Sequence, residues 1–537
     1  MRHSDSHKVI DHRFDKSKTE LSAIIGKSPV LGGWRFDDRK GCHPETREQF
    51  LEHIIKWVYN RESERGLVLL GKAGTGKSSI AHEIALHFDE TRTYLGSYVA
   101  FVRKEKPKDE AYHFFTTLAR DLSDRYPPFK LALRRAIAND PSFGTTRDHR
   151  RLFQRLLVEP LKNLPLADPI LIIIDGLDES GVTTGENALH TFLAQRLIDL
   201  PPNIRILITS RSEDGIEHTF ANAQSVRILY MDDAQLASNT EQDIGLYIQS
   251  MLREDVFKAH GSKLVQASEG LFQWAAVACG FINSPASLGL SYNECVQRLL
   301  GPSRGLSGSG PLDNLYEEVL QGYFNSDEAQ VLFRSIMGQL FAAIEPLSIG
   351  SLIALRQHAP FVHPDDSNLV LRILRYLGSL LSNVTSLDQR RPILPLHTSF
   401  RDFLTSRTSK VFYVDLADAH HQLTHSCLGL MLNELKFNIC KLGSSYLANS
   451  DVPDLESRIA KYIPSALPYA CIHWGDHLYG LAFDHDVLRK LRLVFETKFL
   501  FWLEVLSVKK SVGVASRALS SLLLWLLREV CTPHNSI

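Results

Sequence analysis

Apolar positions along this chain fall into two regimes. Up to about residue 231, short aliphatic runs at 67–70, 98–102, 170–174, 204–209 and 226–230 are separated by stretches whose apolar residues recur every three or four positions. The runs show little polar alternation, the pattern of strands buried on both faces of a parallel sheet. Ile80, Ala81, Ile84, Ala85 and Phe88 predict one intervening helix, and Phe114, Leu118 and Leu122 another. Ahead of the first run, Phe50, Leu51, Ile54, Ile55 and Val58 share a helical face, and Thr46 with Gln49 three residues on predicts a capping box. Strand and helix in alternation predict an α/β domain with a parallel sheet over 42–231.

Beyond residue 231 the strand signal fades. Ile244, Tyr247, Ile248, Met251 and Leu252 predict one helix, and the apolar spacing over 264–281 predicts a second. The segment GPSRGLSGSGP at 301–311 predicts a Gly/Ser-rich linker. Helices dominate 312–410, with a strand expected at 392–396, and 411–537 is helical in pattern, as at Leu423, Cys427, Leu430, Met431 and Leu435. Residues 1–41 carry charge without periodicity and predict a poorly ordered lead. No fixed-period repeat is visible.

Composition narrows the class. A chain of 537 residues suits about three to four domains. Lys and Arg number 60 against 61 Asp and Glu, so no global field draws the chain to nucleic acid or to an anionic membrane, and no nucleic-acid partner is expected. Seven cysteines without C-x-x-C spacing argue for reduced thiols. The polar start lacks the apolar core of a secretory signal, and no apolar stretch reaches the ~20 residues a bilayer requires. A cytoplasmic location without a transmembrane segment is expected.

Three motifs carry chemistry. Gly71-Lys72-Ala73-Gly74-Thr75-Gly76-Lys77-Ser78 fits G-x-x-x-x-G-K-[ST] and lies between a predicted strand and a predicted helix. Such a loop curls backbone N–H groups around phosphates, with Lys77 charging the β and γ phosphates and the Ser78 hydroxyl ligating Mg²⁺. The run 170–174 then delivers Asp175 at its C-terminal end, where open α/β sheets bind ligands, and Asp175 would hold Mg²⁺ directly or through water. Asp178 and Glu179 are placed to orient or deprotonate an attacking water, or else to cap a following helix. The run 204–209 ends in Ser210-Arg211, and Arg211 could reach the γ-phosphate.

These motifs resemble those of NACHT NTPases of the signal-transducing STAND class, in particular fungal proteins whose NTPase is nephrocystin-3-like at its N-terminus. The resemblance rests on GKAGTGKSS at 71–79, LIIIDGLDE at 171–179 and RILITSR at 205–211. Further matches are CHPETR at 42–47, LFQWAAVAC at 271–279, PLDNLY at 311–316, EPLS at 345–348 and LHTSFRDFL at 396–404. It implies a NACHT P-loop NTPase over 42–231, a helical lid over 232–300, the linker 301–311, a winged-helix domain over 312–410 and a C-terminal helical domain over 411–537. It implies nucleotide binding by Gly71, Lys72, Ala73, Gly74, Thr75, Gly76, Lys77, Ser78 and Ser79, and catalysis by Glu179 and Asp178 with Lys77 and Arg211. His397, in a matching H-x-S-F-x-D-F segment, is implied to contact the ADP β-phosphate and latch the closed state, with Leu396, Phe400, Phe403 and Leu404 forming the buried stripe of its helix.

The implied function is a nucleotide-dependent switch. It binds ATP or ADP with Mg²⁺, GTP and GDP staying open, hydrolyses slowly, and opens and homo-oligomerises on exchange, in signalling akin to innate immunity or heterokaryon incompatibility. Residues 1–41 are too few for most effector domains of that family, and no propeller, ankyrin or helical-hairpin array is recognisable. The upstream ligand and downstream effector are therefore unassigned. Two other readings stay open: a P-loop kinase or motor ATPase with fast turnover, and an adaptor without catalysis.

Weaker signals point to ordinary structure. His421 and His425, near Cys427, and His473 and His477, with Cys471, have the i, i+4 spacing of metal ligands but lack a fourth partner in sequence, so ordinary helical histidines are the expectation. Arg147, Arg150, Arg151 and Arg155 read as a solvated helix face, and 103–110 as an exposed loop. The apolar tail at 499–527 either packs on the helical end or meets another domain.

Overall fold

The computed structural model describes residues 40–90, 94–101, 110–138, 148–162, 164, 168–180, 188–284, 289–301, 310–359, 366–384, 390–444 and 446–531. The lead at 1–39, the loop at 103–109, Arg147 and most of the linker, 302–309, fall outside them. Two compact units divide the chain, Met1–Ala275 and Ala276–Ile537.

In the first unit, α1 (Glu48–Tyr59), β1 (Gly66–Leu70), α2 (Lys77–Glu90), β2 (Leu95–Ala100), α3 (Glu110–Arg125) and α4 (Pro127–Ala138) come in succession. Next, α5 (His149–Phe153) runs through a π-helical turn at Gln154–Val158 into α6 (Glu159–Lys162). β3 (Ile170–Asp175), α7 (Leu189–Arg196), β4 (Ile204–Ser210), α8 (Asp214–Ala221) and β5 (Val226–Tyr230) complete the sheet region. The five strands are all parallel, in the order β2-β3-β4-β1-β5. Each strand alternates between two cores. Val68 and Leu70 of β1 face Phe114, Phe115 and Leu118, while Leu67 and Leu69 face Ile54, Ile80 and Ile84. With apolar layers on both sides, polar alternation would cost burial on one face, which is why the runs read as continuous.

Three sequence expectations are corrected here. The second strand starts earlier than 98–102, at Leu95, where its small residues Gly96 and Ser97 carry a register irregularity against β3; a Cβ at Gly96 would lie 2.6 Å from Ile170 Cγ2. The Thr46–Gln49 capping box does not form. The residue preceding α1 is Arg47, left-handed at φ 61°, and the Thr46 hydroxyl donates instead to the His43 carbonyl at 2.6 Å. The single helix expected at 264–281 is two. After α9 (Thr240–Met251), α10 (Glu254–Ser268) and α11 (Phe272–Ile282) are separated by Glu269 and Gly270, both at positive φ.

The second unit continues with α12 (Tyr292–Leu300), which carries a capping box from Ser291 and Glu294, then α13 (Pro311–Tyr323), α14 (Asp327–Ala342), α15 (Ile349–Arg356) and α16 (Asp366–Tyr376). The strand expected at 392–396 is reduced to two isolated antiparallel bridges, Ser348 with Pro392 and Leu381 with Pro395; both prolines lack the N–H a longer ladder needs. α17 (Thr398–Thr405) buries Phe400, Phe403 and Leu404, but Leu396 precedes the helix and is 53% exposed, so it is no part of that stripe.

The helical end comprises α18 (Leu416–Glu434), α19 (Leu455–Tyr462), α20 (Leu467–Leu478), α21 (His485–Thr497), α22 (Phe499–Val508) and α23 (Val514–Cys531). α18 packs on α14, α20 and α21, and α20 packs on α23. The apolar tail buries Trp502, Val505, Leu506 and Trp525, and leaves Leu500, Leu523, Leu524 and Leu527 exposed. No helix among the described residues is long and apolar enough to cross a membrane.

Candidate phosphate-binding site

β1 ends at Leu70 and α2 begins at Lys77, so residues 71–76 form the turn between them at the C-terminal edge of the sheet. Gly74 at φ 83° and Gly76 at φ 95° take the left-handed conformation that only glycine adopts without strain. Lys77 Nζ folds back over the loop and donates to the carbonyls of Gly71 and Lys72, each at 2.8 Å. Burial is the largest influence on this amine and lowers its pKa to about 8, against the pull of Asp178. A desolvated ammonium held mainly by carbonyl dipoles gains much from a phosphate, which brings full negative charge and strong acceptors to the same loop.

The two residues expected to hold Mg²⁺ meet. Ser78 Oγ donates to Asp175 Oδ1 at 2.9 Å. β4 lies between β1 and β3, so its residue Thr209 also reaches Asp175 Oδ1, at 2.5 Å, and accepts from the Gly176 N–H at 2.9 Å. Tyr98 of β2 donates to Asp175 Oδ2 at 3.1 Å, and its own phenol is pushed well above the usual range by burial and by that carboxylate. A hydroxyl and a carboxylate side by side, next to a phosphate loop, fit Mg²⁺, which takes one or two protein oxygens and completes its shell with phosphate and water. Thr209 and Tyr98 were not singled out in the sequence. Each looks like an ordinary strand residue, and only the strand order shows what it faces.

Past Asp175 the chain turns on Gly176, left-handed at φ 74°, into a 3₁₀ turn at Leu177–Glu179. Asp178 and Glu179 thus sit on the turn itself. Asp178 is held at the end of β4: Oδ1 accepts the Arg211 N–H at 3.0 Å, and Oδ2 pairs with Arg211 Nε at 3.1 Å. Arg211 and Asp178 are therefore brought together beside the loop.

Two further residues bind the loop from behind. Arg47, 5% exposed, donates through Nη2 to the Thr75 carbonyl at 3.0 Å and through Nη1 to Thr240 Oγ1 at 2.9 Å, and its guanidinium lies 4.8 Å from the Phe272 ring centroid. Its backbone N–H donates to Asp243 at 3.0 Å, and the Gln273 N–H donates to the Gly74 carbonyl at 3.1 Å. The loop is so tied to α9 and to the start of α11. Both residues stand in matched stretches, CHPETR and LFQWAAVAC, but composition and spacing assign them no role. His397 belongs to the second unit. There its Nδ1 accepts the Ser399 N–H at 3.1 Å and so caps α17.

Sheet and phosphate loop together define a P-loop NTPase fold. A family model described as Nephrocystin 3, N-terminal, matches residues 45–211. Among solved structures the chain is similar to the ORC1 protein of Aeropyrum pernix, determined in complex with DNA, at 15% identity over 69% of this chain and 94% of that one, with a TM-score of 0.33. It is also similar to Cdc6p from Pyrobaculum aerophilum, at 15% identity over 73% of this chain and 90% of that one, with a TM-score of 0.27. No curated protein matches the chain.

Proposed function

We propose that this protein is a nucleotide-operated switch that binds a nucleoside triphosphate or diphosphate with Mg²⁺ and hydrolyses the triphosphate slowly to reset itself. The observation that carries the reading is the tie between the phosphate loop and the helices after the sheet: Arg47 and Gln273 hold the Thr75 and Gly74 carbonyls. A loop so tied passes a change in its phosphates to α9 and α11, which a metabolic kinase does not need. When bound, Mg²⁺ neutralises phosphate charge; Ser78 and Asp175 would hold it. Lys77 would contact the phosphates, Glu179 would take the proton of the attacking water, and Arg211, held by Asp178, would report on the γ-phosphate. Residues 312–410 are read as a winged-helix domain.

Such a switch needs the two states to differ in nucleotide affinity by about 5.5 kcal/mol to move a 1:99 population to 99:1. The test is mass identification of nucleotide retained by full-length protein purified without additions, with the oligomeric state measured in ADP and in a non-hydrolysable ATP analogue. Retained ADP, and a larger assembly only with the analogue, are expected. An empty site with no measurable affinity would refute the proposal.

A further inference from the structure

We propose that His421, His425 and Asp484 form a binding site for a zinc-type divalent metal ion in the second unit. His421 and His425 are one turn apart on α18, and Asp484 is the residue that caps α21. One ligand atom from each residue lies within 4.8 Å of the other two. His421 Nε2 is 2.8 Å from Asp484 Oδ2 and His425 Nε2 is 3.8 Å from it. Around a tetrahedral ion with bonds of about 2.0–2.1 Å, ligand atoms sit on the order of 3.4 Å apart. The two distances bracket that value, and the third pair lies within 4.8 Å.

A second observation points to a ligand. His425 is 6% exposed, and its Nε2, directed at the site, has no hydrogen-bond partner, an expensive condition for a buried imidazole nitrogen. A metal ion would satisfy it. Asp484 is already oriented: its Oδ1 accepts the N–H groups of Asp486 at 2.7 Å and Val487 at 3.1 Å, which leaves Oδ2 to face both imidazoles. The side chains of His421 and Asp484 are 37% and 28% exposed, so the fourth position opens to solvent and suits water. Asp486 and Lys490 are the other charged groups near the site, and Lys490 Nζ donates to the His425 carbonyl at 3.3 Å. Two imidazoles and one carboxylate select zinc or its neighbours over Mg²⁺ or Ca²⁺. Cys427, the partner suggested by proximity in sequence, is not part of the set; Asp484, at the cap of another helix, is. The ion would staple the middle of α18 to the start of α21.

The experiment uses the full chain, stripped with chelator and with no nucleotide added, titrated with Co²⁺ and then with Zn²⁺. Expected are one equivalent of Co²⁺ with the visible absorption of a four-coordinate site, displacement by Zn²⁺, and a higher thermal midpoint with Zn²⁺ bound. Asp484→Asn retains the helix cap, since Asn caps as well as Asp, yet removes the carboxylate. His421→Ala removes a partly exposed ring. Each should weaken Co²⁺ binding at least about tenfold while the metal-free midpoint of His421→Ala stays near that of the parent. Failure of the parent to take up a stoichiometric ion, or uptake unchanged in both variants, would overturn the proposal.

Discussion

Asp175 accepts hydrogen bonds from three hydroxyls, of Ser78, Thr209 and Tyr98, at 7% exposure. Ser78 and Asp175 are legible in sequence because each stands at a fixed offset in a short motif. Thr209 is not, since its partner lies 34 positions away and the apolar run around it reads only as a strand. Thr209→Val should lower stability by about 1–3 kcal/mol, because it strands the half-buried Gly176 N–H and removes one bond to the buried Asp175, and should weaken Mg²⁺-dependent nucleotide binding. Urea unfolding and a Mg²⁺ titration of nucleotide affinity measure the two effects; unchanged values in both would exclude this role. At Lys77, Ala should cost nucleotide at least about 30-fold in affinity, the equivalent of about 2 kcal/mol for a charged contact. Glu179→Gln should leave affinity within a few-fold and slow hydrolysis by about 100-fold or more, as loss of a general base does. Equal hydrolysis by Glu179→Gln and parent in a single-turnover assay would move the role elsewhere.

At the scale of elements, β1, β3 and β4 announce themselves because burial on both faces makes each a largely aliphatic run, while β5, at the sheet edge, is half-exposed, and the order of motifs places the C-terminal ends of the parallel strands at one edge. Strand boundaries and helix caps are less legible. Gly96 opens β2 through close packing against Ile170, and Arg47 enters α1 from a left-handed backbone, neither of which local propensity announces. Arg47→Ala should destabilise the first unit by about 2–4 kcal/mol, through two lost guanidinium bonds and its stacking on Phe272, and should weaken nucleotide binding by freeing the Thr75 carbonyl. Denaturant midpoints and nucleotide titrations check this, and a variant as stable as the parent would show the tie to be incidental. In the helical end, α20 and α23 approach so closely at Gly475 that an added Cβ would lie 2.6 Å from the Ala518 backbone. Gly475→Ala should therefore cost about 1–3 kcal/mol despite alanine's better helix propensity. A gain in thermal midpoint would contradict that packing.

Across the whole molecule, buried and half-buried histidines contribute to the response to acid. His477, enclosed with Tyr469 and His420, is held well below the ordinary value of 6.5 by burial and by His420. Burial lowers His53, His149, His190 and His358 as well. Protons that the unfolded chain takes up near pH 6.5 are resisted by the fold, so stability is full above that value and falls as pH drops through it, most for the fully enclosed His477 and less for the half-exposed rings. His473 runs the other way. Burial opposes its charge, but Asp476 and Glu345 hold its pKa above 6.5, so its contribution is lost as pH rises. With His425, lowered by burial too, six lowered groups stand against one raised group. Urea midpoints should decline from about pH 7.5 to about pH 5.5, with a shallower slope in His477→Gln; a flat or rising profile would contradict the assignment.

The sequence by itself determined the P-loop, the pairing of candidate residues Ser78 and Asp175, the parallel α/β class and the helical remainder, because each depends on local spacing or on a strand's own burial. Tertiary structure alone decided what those motifs face. Thr209 and Tyr98 reach Asp175 because β4 and β2 flank β3. Arg47 and Gln273 reach the loop from opposite ends of the first unit. Asp484 meets His421 and His425 only because α21 packs on α18. Contacts between residues far apart in the chain depend on how whole elements pack, and no short window of sequence carries that information.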